Sequence, residues 1–123
     1  MFDLARAGAT AELAANIDAG VPANLTNSGG DTLLILAAYH QHLETVQALL
    51  GRGADPERVN DRGQTALGAA AFRQNVPIVR ALLAAGADPH GGARSAVELA
   101  DFFGLADIAS LLRGSPSSET APE

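Results

Sequence analysis

Apolar side chains recur along this chain in short bursts at helical spacing, and the bursts themselves recur. Leu43, Val46, Leu49 and Leu50 stand three or four positions apart or adjacent, and Val76, Val79, Leu82 and Leu83 repeat the pattern. That spacing puts each set on one face of an α-helix. Between these helices lie denser segments, "TLLILAA", "TALGAAA" and "SAVELAD", rich in Ala and Leu. They predict thin helices buried on most sides, ending near Gln41, Gln74 and Gly104. Thr32, Thr65 and Ser95 precede them, where a hydroxyl can accept an orphan N–H of the first turn. Gly20, Gly53 and Gly86 follow the more amphipathic helices and suit the left-handed conformation just past a helix end. Pro56 and Pro89 keep those helices from resuming, while Pro77 falls in a first turn, where a missing N–H costs little.

The elements have a period. Gly20, Gly53 and Gly86 are 33 residues apart, and each opens a similar turn, "GVPAN", "GADPE" and "GADPH". Leu13, Val46 and Val79 share that spacing, as do Ile17, Leu50 and Leu83, and also Thr32 and Thr65. Ser95 opens a further copy three residues early, so the loop before it, "HGGARS", is short. A fixed period of this size marks a solenoid of helix–turn–helix units, each burying its apolar face against the next. The opening "FDLARAG" begins directly in a helix, with Thr10 expected to cap a second one. At the other end Leu111 and Leu112 finish a helix that Gly114 stops, and "SPSSETAPE" reads as a flexible tail.

These segments resemble the ankyrin repeat, whose pattern runs T-P-L-H-x-A-A, then G-H, then L-L, then G-A-D. The likeness covers residues 1 to about 113 and is best from Gly30 to Asp88, in "TLLILAA…LETVQALLGRGAD" and "TALGAAA…VRALLAAGAD". It implies an all-α ankyrin-repeat solenoid of about 3.5–4 repeats, near 1–29, 30–62, 63–92 and 93–114, with atypical terminal caps and a tail at 115–123. The family's proline is replaced by Leu33, Ala66 and Ala96, and its motif histidine by Ile35, Gly68 and Glu98. Apolar packing between helices must then hold the stack where that histidine would link repeats.

Composition narrows the function. With 47% hydrophobic but only 4% aromatic residues, the core has to be built from Ala and Leu. A net charge of −6 argues against a nucleic-acid partner, because phosphate binding needs surplus cations. All the cations are Arg, as a GC-rich bacterial genome would favour. The chain has no cysteine, which excludes disulfides and thiolate chemistry. No stretch approaches the 18 apolar residues of a membrane span, and no signal peptide opens the sequence, so a soluble cytoplasmic protein is expected.

Candidate chemistry is sparse. His40, His42 and Glu44 in "AAYHQHLE" invite a metal reading. However, His42 aligns with the histidine of the family's G-H at the inter-helix turn, and residues two apart on a helix point in different directions. A structural role is expected for His42, and His90 stands alone. "GRGADP" ends a helix instead of following a strand and has no Lys, so it is no phosphate loop. No serine-nucleophile elbow is present, and Asp55 and Asp88 fit turns that bond their own backbone. Neither enzymatic activity nor a cofactor is expected.

The resemblance implies binding through a concave face, with contacts from the protruding turns and the exposed ends of the first helices. In this sequence the turn positions include Asp31, then Asp61, Arg62 and Gln64. The helix ends offer Arg6 and Ala7, Tyr39 and His40, Phe72 and Arg73, and Phe102 and Phe103. Those ends hold four of the chain's five aromatic residues. Tyr39, Phe72 and Phe102 fall at one repeat position and are expected to form a stripe, with Arg73 beside Phe72. Aromatic and Arg side chains are the usual anchors of interfaces. The alternative for the stripe is pure packing over small alanines. The function expected is a non-enzymatic module that binds a protein partner, in one version an enzyme it regulates or protects. Self-association into a weak homodimer, or a small-ligand or metal sensor, are the rival readings.

Overall fold

Hydroxyl side chains start the thin helices as their positions predict. In a computed structural model, which describes residues 1–92 and 95–113, Thr32 Oγ1 accepts the Ile35 N–H at 3.0 Å and Thr65 Oγ1 the Gly68 N–H at 3.0 Å. Ser95 Oγ accepts the Glu98 N–H at 3.2 Å, and Glu98 in turn accepts the Ser95 N–H, a reciprocal capping box. All three capping residues are buried. Each bond therefore fixes a helix start and also satisfies a polar group that would be costly to leave unpaired.

The described residues form α1 (Phe2–Ala7), α2 (Thr10–Asp18), α3 (Leu33–Tyr39), α4 (Leu43–Leu50), α5 (Ala66–Phe72), α6 (Val76–Ala84), α7 (Ala96–Phe102) and α8 (Ala106–Leu112). Successive helices pack as pairs, and the pairs stack in two layers. One layer is α1, α3, α5 and α7; the other is α2, α4, α6 and α8. Among the described residues, extended pairing is confined to an isolated bridge between Thr26 and Thr32. The all-helical repeat architecture expected from the 33-residue period is present. The tail and Gly114 lie outside the described residues, as does part of the short "HGGARS" loop.

The core is aliphatic. Leu33, Leu34, Leu49, Leu67, Ile78, Leu82, Val46 and Val79 are almost fully buried, each contributing about 1.5–3 kcal/mol through burial. In α5 the residues Ala66 through Ala71 are all buried. Apart from Leu67, these are small side chains, which let α3 and α7 approach closely on both sides, since the distance between helix axes follows side-chain size at the contact.

Two local expectations change. Thr10 is the first residue of α2, not its cap, and Ala9 holds the cap position without a side-chain bond. The Thr10 hydroxyl instead meets Thr45 Oγ1 at 2.7 Å. Thr45 is fully buried in α4, and its hydroxyl takes its partner from the neighbouring pair. Apolar packing is also not the sole bond between repeats. Asn24 Oδ1 accepts the Asp55 N–H at 2.7 Å, and Glu57 Oε2 accepts the Asp88 N–H at 2.9 Å. The links that a motif histidine would make are thus moved to the loops beyond the second helices. Asp55 and Asp88 also accept the N–H groups of Glu57 and His90, the self-bonded turns their sequence predicts.

Gly53 and Gly86 adopt φ of 89° and 92°, the left-handed ends expected of them. Gly30 has φ of 79° as well, but a Cβ there would lie 2.8 Å from Asp61 Oδ1 and 3.0 Å from Asp61 N, whereas at Gly53 it would meet open space. Replacing Gly53 by Ala should therefore cost only left-handed strain, about 1 kcal/mol, and Gly30→Ala at least about 2 kcal/mol. Urea unfolding of the two variants with unchanged m-values is the check, and equal costs would refute the close approach of turns.

Candidate binding groove

The turns between repeats converge on a residue that looks unremarkable in the sequence. Asn60 is buried. Its Oδ1 accepts the N–H groups of Arg62 and Gln64, both at 2.9 Å, and its Nδ2 donates to Gln64 Oε1 at 3.0 Å and to Asp31 Oδ1 at 2.8 Å. The last bond crosses to the preceding turn, where Asn27 plays the same local part by accepting from Gly29 and Asp31. Asp61 N donates to Gly29 O at 3.0 Å, tying the turns a second time. Asn60 was recoverable from sequence as the 33-residue counterpart of Asn27 in "NSGGDT" and "NDRGQT".

Past these turns the first helices end in rings. Tyr39 and Phe72 stack with centroids 6.3 Å apart and planes 8° from parallel. The expected stripe continues differently at the third position. Phe103, not Phe102, meets Phe72, edge to face at 5.7 Å. Phe102 contacts Phe103 at 4.9 Å but is 82% exposed, whereas Tyr39, Phe72 and Phe103 are 39%, 45% and 50% exposed. Phe103 follows α7 at the repeat position that Arg73 holds after α5, and like Arg73 it meets the ring of the preceding repeat. Arg73 likewise reaches away from its neighbour: its guanidinium lies 5.1 Å from the centroid of the Tyr39 ring, a cation–π contact.

Rings and turns enclose an open groove of about 510 Å³. Of the candidate residues it brings together Asp31, Tyr39, His40, Arg62, Gln64, Phe72 and Phe103, with Arg6 joining them from α1. Asp61 and Phe102 do not line it, and Arg73 stands at its edge over Tyr39. Ile35, Leu36, Gly68, Ala69 and Leu99 complete its lining. Arg62 approaches Asp31 at 3.8 Å with its own side chain 70% exposed, a pair of little energetic weight.

The two histidines separate by role. They flank Gln41, which has a left-handed φ of 65°. The His42 ring covers Gly8, and its Nε2–H donates to Arg6 O at 2.7 Å, tying α4 to the end of α1. His40 lies at the groove. Partial burial, then the neighbouring His42, Arg6 and Arg73, hold its imidazole below the usual range. Among the described residues no cluster of three His, Cys, Asp or Glu side chains stands together to hold a metal.

A family model described as ankyrin repeats (3 copies) matches residues 2–91. A curated protein of Pseudomonas aeruginosa, named for ankyrin repeats, is 49% identical over 47 residues, which are 38% of this chain and 28% of that protein. The match thus spans little more than a quarter of the relative's length.

Asn60→Ala should destabilise by about 1–3 kcal/mol, because it leaves buried N–H groups and Asp31 without a partner. Calorimetry would test this, with Asn27→Ala, outside the cross-turn bond, costing less. The proton NMR signal of His40 should titrate with a midpoint below 6.5. Because the unfolded midpoint is then the higher one, His40 opposes folding as pH falls through 6.5 and has no effect above it. A midpoint at or above 6.5 would contradict the partial burial of His40 beside His42, Arg6 and Arg73.

Proposed function

The chain belongs to the ankyrin-repeat family, and from that premise we propose that it is a non-enzymatic module that docks a protein partner in its aromatic groove. Ankyrin repeats generally mediate protein–protein interaction, and the family is typically non-enzymatic. One observation carries the finer reading. Tyr39, Phe72 and Phe103 form a continuous row of rings, each 39–50% exposed, in a protein whose core is aliphatic. Rings needed only as packing gain most when covered, whereas half-exposed rings beside Arg73 retain area for a partner to bury.

The net charge of −6 supports a protein over a nucleic-acid partner. Among the described residues no helix is long and apolar enough to cross a membrane. A cytoplasmic site of action belongs to the same reading, with regulation or protection of a partner enzyme as its most concrete form. Self-association is the rival, favoured by the 82% exposure of Phe102.

Capture from a lysate of the source cells by wild type and by a Tyr39→Ala/Phe72→Ala variant tests this, with melting temperatures and sedimentation in parallel. The variant should lose a specific protein while its stability falls by well under the 3–5 kcal/mol, roughly, of truncating a buried ring. A collapse in melting temperature would make the rings packing. Concentration-dependent sedimentation of wild type alone would favour the homodimer.

A further inference from the structure

The groove's floor changes size along the stack. At one repeat position stand Leu36, Ala69 and Leu99, and at the position before it Ile35, Gly68 and Glu98. The middle repeat thus contributes only Gly68 and Ala69 between larger neighbours, all of them lining the groove except Glu98. The Glu98 carboxylate is turned to the Ser95 N–H in its capping box. The small residues Gly68 and Ala69 make the groove's apolar notch, and Tyr39, Phe72 and Phe103 line the same groove. The groove's volume falls within the range of about 300–1,000 Å³ typical of ligand sites.

The groove's charge runs opposite to the chain's. The protein carries a net charge of −6, yet Arg6 and Arg62 line the groove and Arg73 stands at its edge. One carboxylate, Asp31, faces them, and it already accepts from Asn60 at 2.8 Å. The partners of the groove cations are loose. Arg6 pairs with Asp3, whose side chain is 98% exposed, and Arg62 stands 3.8 Å from Asp31. Such exposed pairs exchange cheaply for an incoming carboxylate. Acidic residues elsewhere are screened beyond about 8 Å at physiological salt, so the local cations govern what the groove meets.

Resting on the docking reading above, we propose that the groove is selective for an acidic peptide segment bearing one bulky apolar side chain. That side chain fills the notch over Gly68 and Ala69, and the segment's carboxylates meet Arg6, Arg62 and Arg73.

The test uses an array of 12-residue peptides, each with a single Leu, Ile, Met, Phe or Trp in a background of Asp, Glu, Ser and Gly. A charge-reversed Lys/Arg array and a 12-nucleotide oligothymidine serve as rivals. Affinities of the labelled full chain are then compared across variants. Ala69→Leu places in the middle repeat the residue its neighbours carry at that position, closing the notch. Arg62→Glu reverses the charge of a side chain that is 70% exposed, and its melting temperature is measured beside that of wild type. Arg80→Glu, on the exposed side of α6, makes the same change in net charge away from the groove.

Wild type should bind members of the acidic array at least about tenfold more tightly than either rival. Ala69→Leu and Arg62→Glu should each weaken that binding about tenfold, and Arg80→Glu should leave it unchanged. Equal or tighter binding of the basic array or of oligothymidine overturns the proposal, as does undiminished binding by the two groove variants. If no acidic peptide binds while capture dependent on Tyr39 and Phe72 persists, the acidic specificity falls and the docking reading stands. If that capture fails too, both fall.

Discussion

Close approach of α3, α5 and α7 is the constraint on which the rest of this structure depends. Helices of only seven residues cannot stabilise themselves in water. They persist because Ala-rich faces let neighbours pack tightly and because a hydroxyl at each start ends the search for a partner to the first N–H groups. A ring would hold such helices apart. The chain's few aromatic side chains are therefore displaced to the helix ends, where the repeat brings Tyr39, Phe72 and Phe103 into line. The same economy that builds the core thus also builds the groove's wall.

The groove joins two kinds of local order. Its rings, and the cations Arg6 and Arg73, are placed at helix ends that packing fixes, and Arg62 by a turn that hydrogen bonds fix. Asn60 joins the two neighbouring turns, since it holds both the turn carrying Arg62 and the carboxylate of Asp31. The bond between His42 and Arg6 O does the corresponding work for the first cation, anchoring the end of α1 against α4. Neither residue needs to touch a partner to shape what a partner would meet.

Much of this was legible in the sequence, for a physical reason. Repetition at 33 residues multiplies each weak local signal, so caps at Thr32, Thr65 and Ser95 and left-handed ends at Gly53 and Gly86 could be assigned from position alone. What escaped were features decided between elements. Asn60 resembles any solvated turn residue until the preceding turn folds over it. Phe102 holds the repeat position of Tyr39 and Phe72, yet the next residue, Phe103, makes the ring contact. Thr10 has the chemistry of a cap and the hydroxyl of buried Thr45 as a stronger claimant. The electropositive groove was hidden as well, because net charge says nothing about which Arg side chains the fold gathers.

The two loop links, from Asn24 to Asp55 and from Glu57 to Asp88, each span 31 residues and are separated by one repeat. The unit carrying Asp55 and Glu57 therefore offers a side-chain acceptor forward and presents a backbone donor backward, like a coupled wagon. A duplicate of that unit spliced into the middle would arrive with both of these couplings intact. Length in such a chain is cheap to vary over generations, while the identity of the groove's occupant can be altered one side chain at a time.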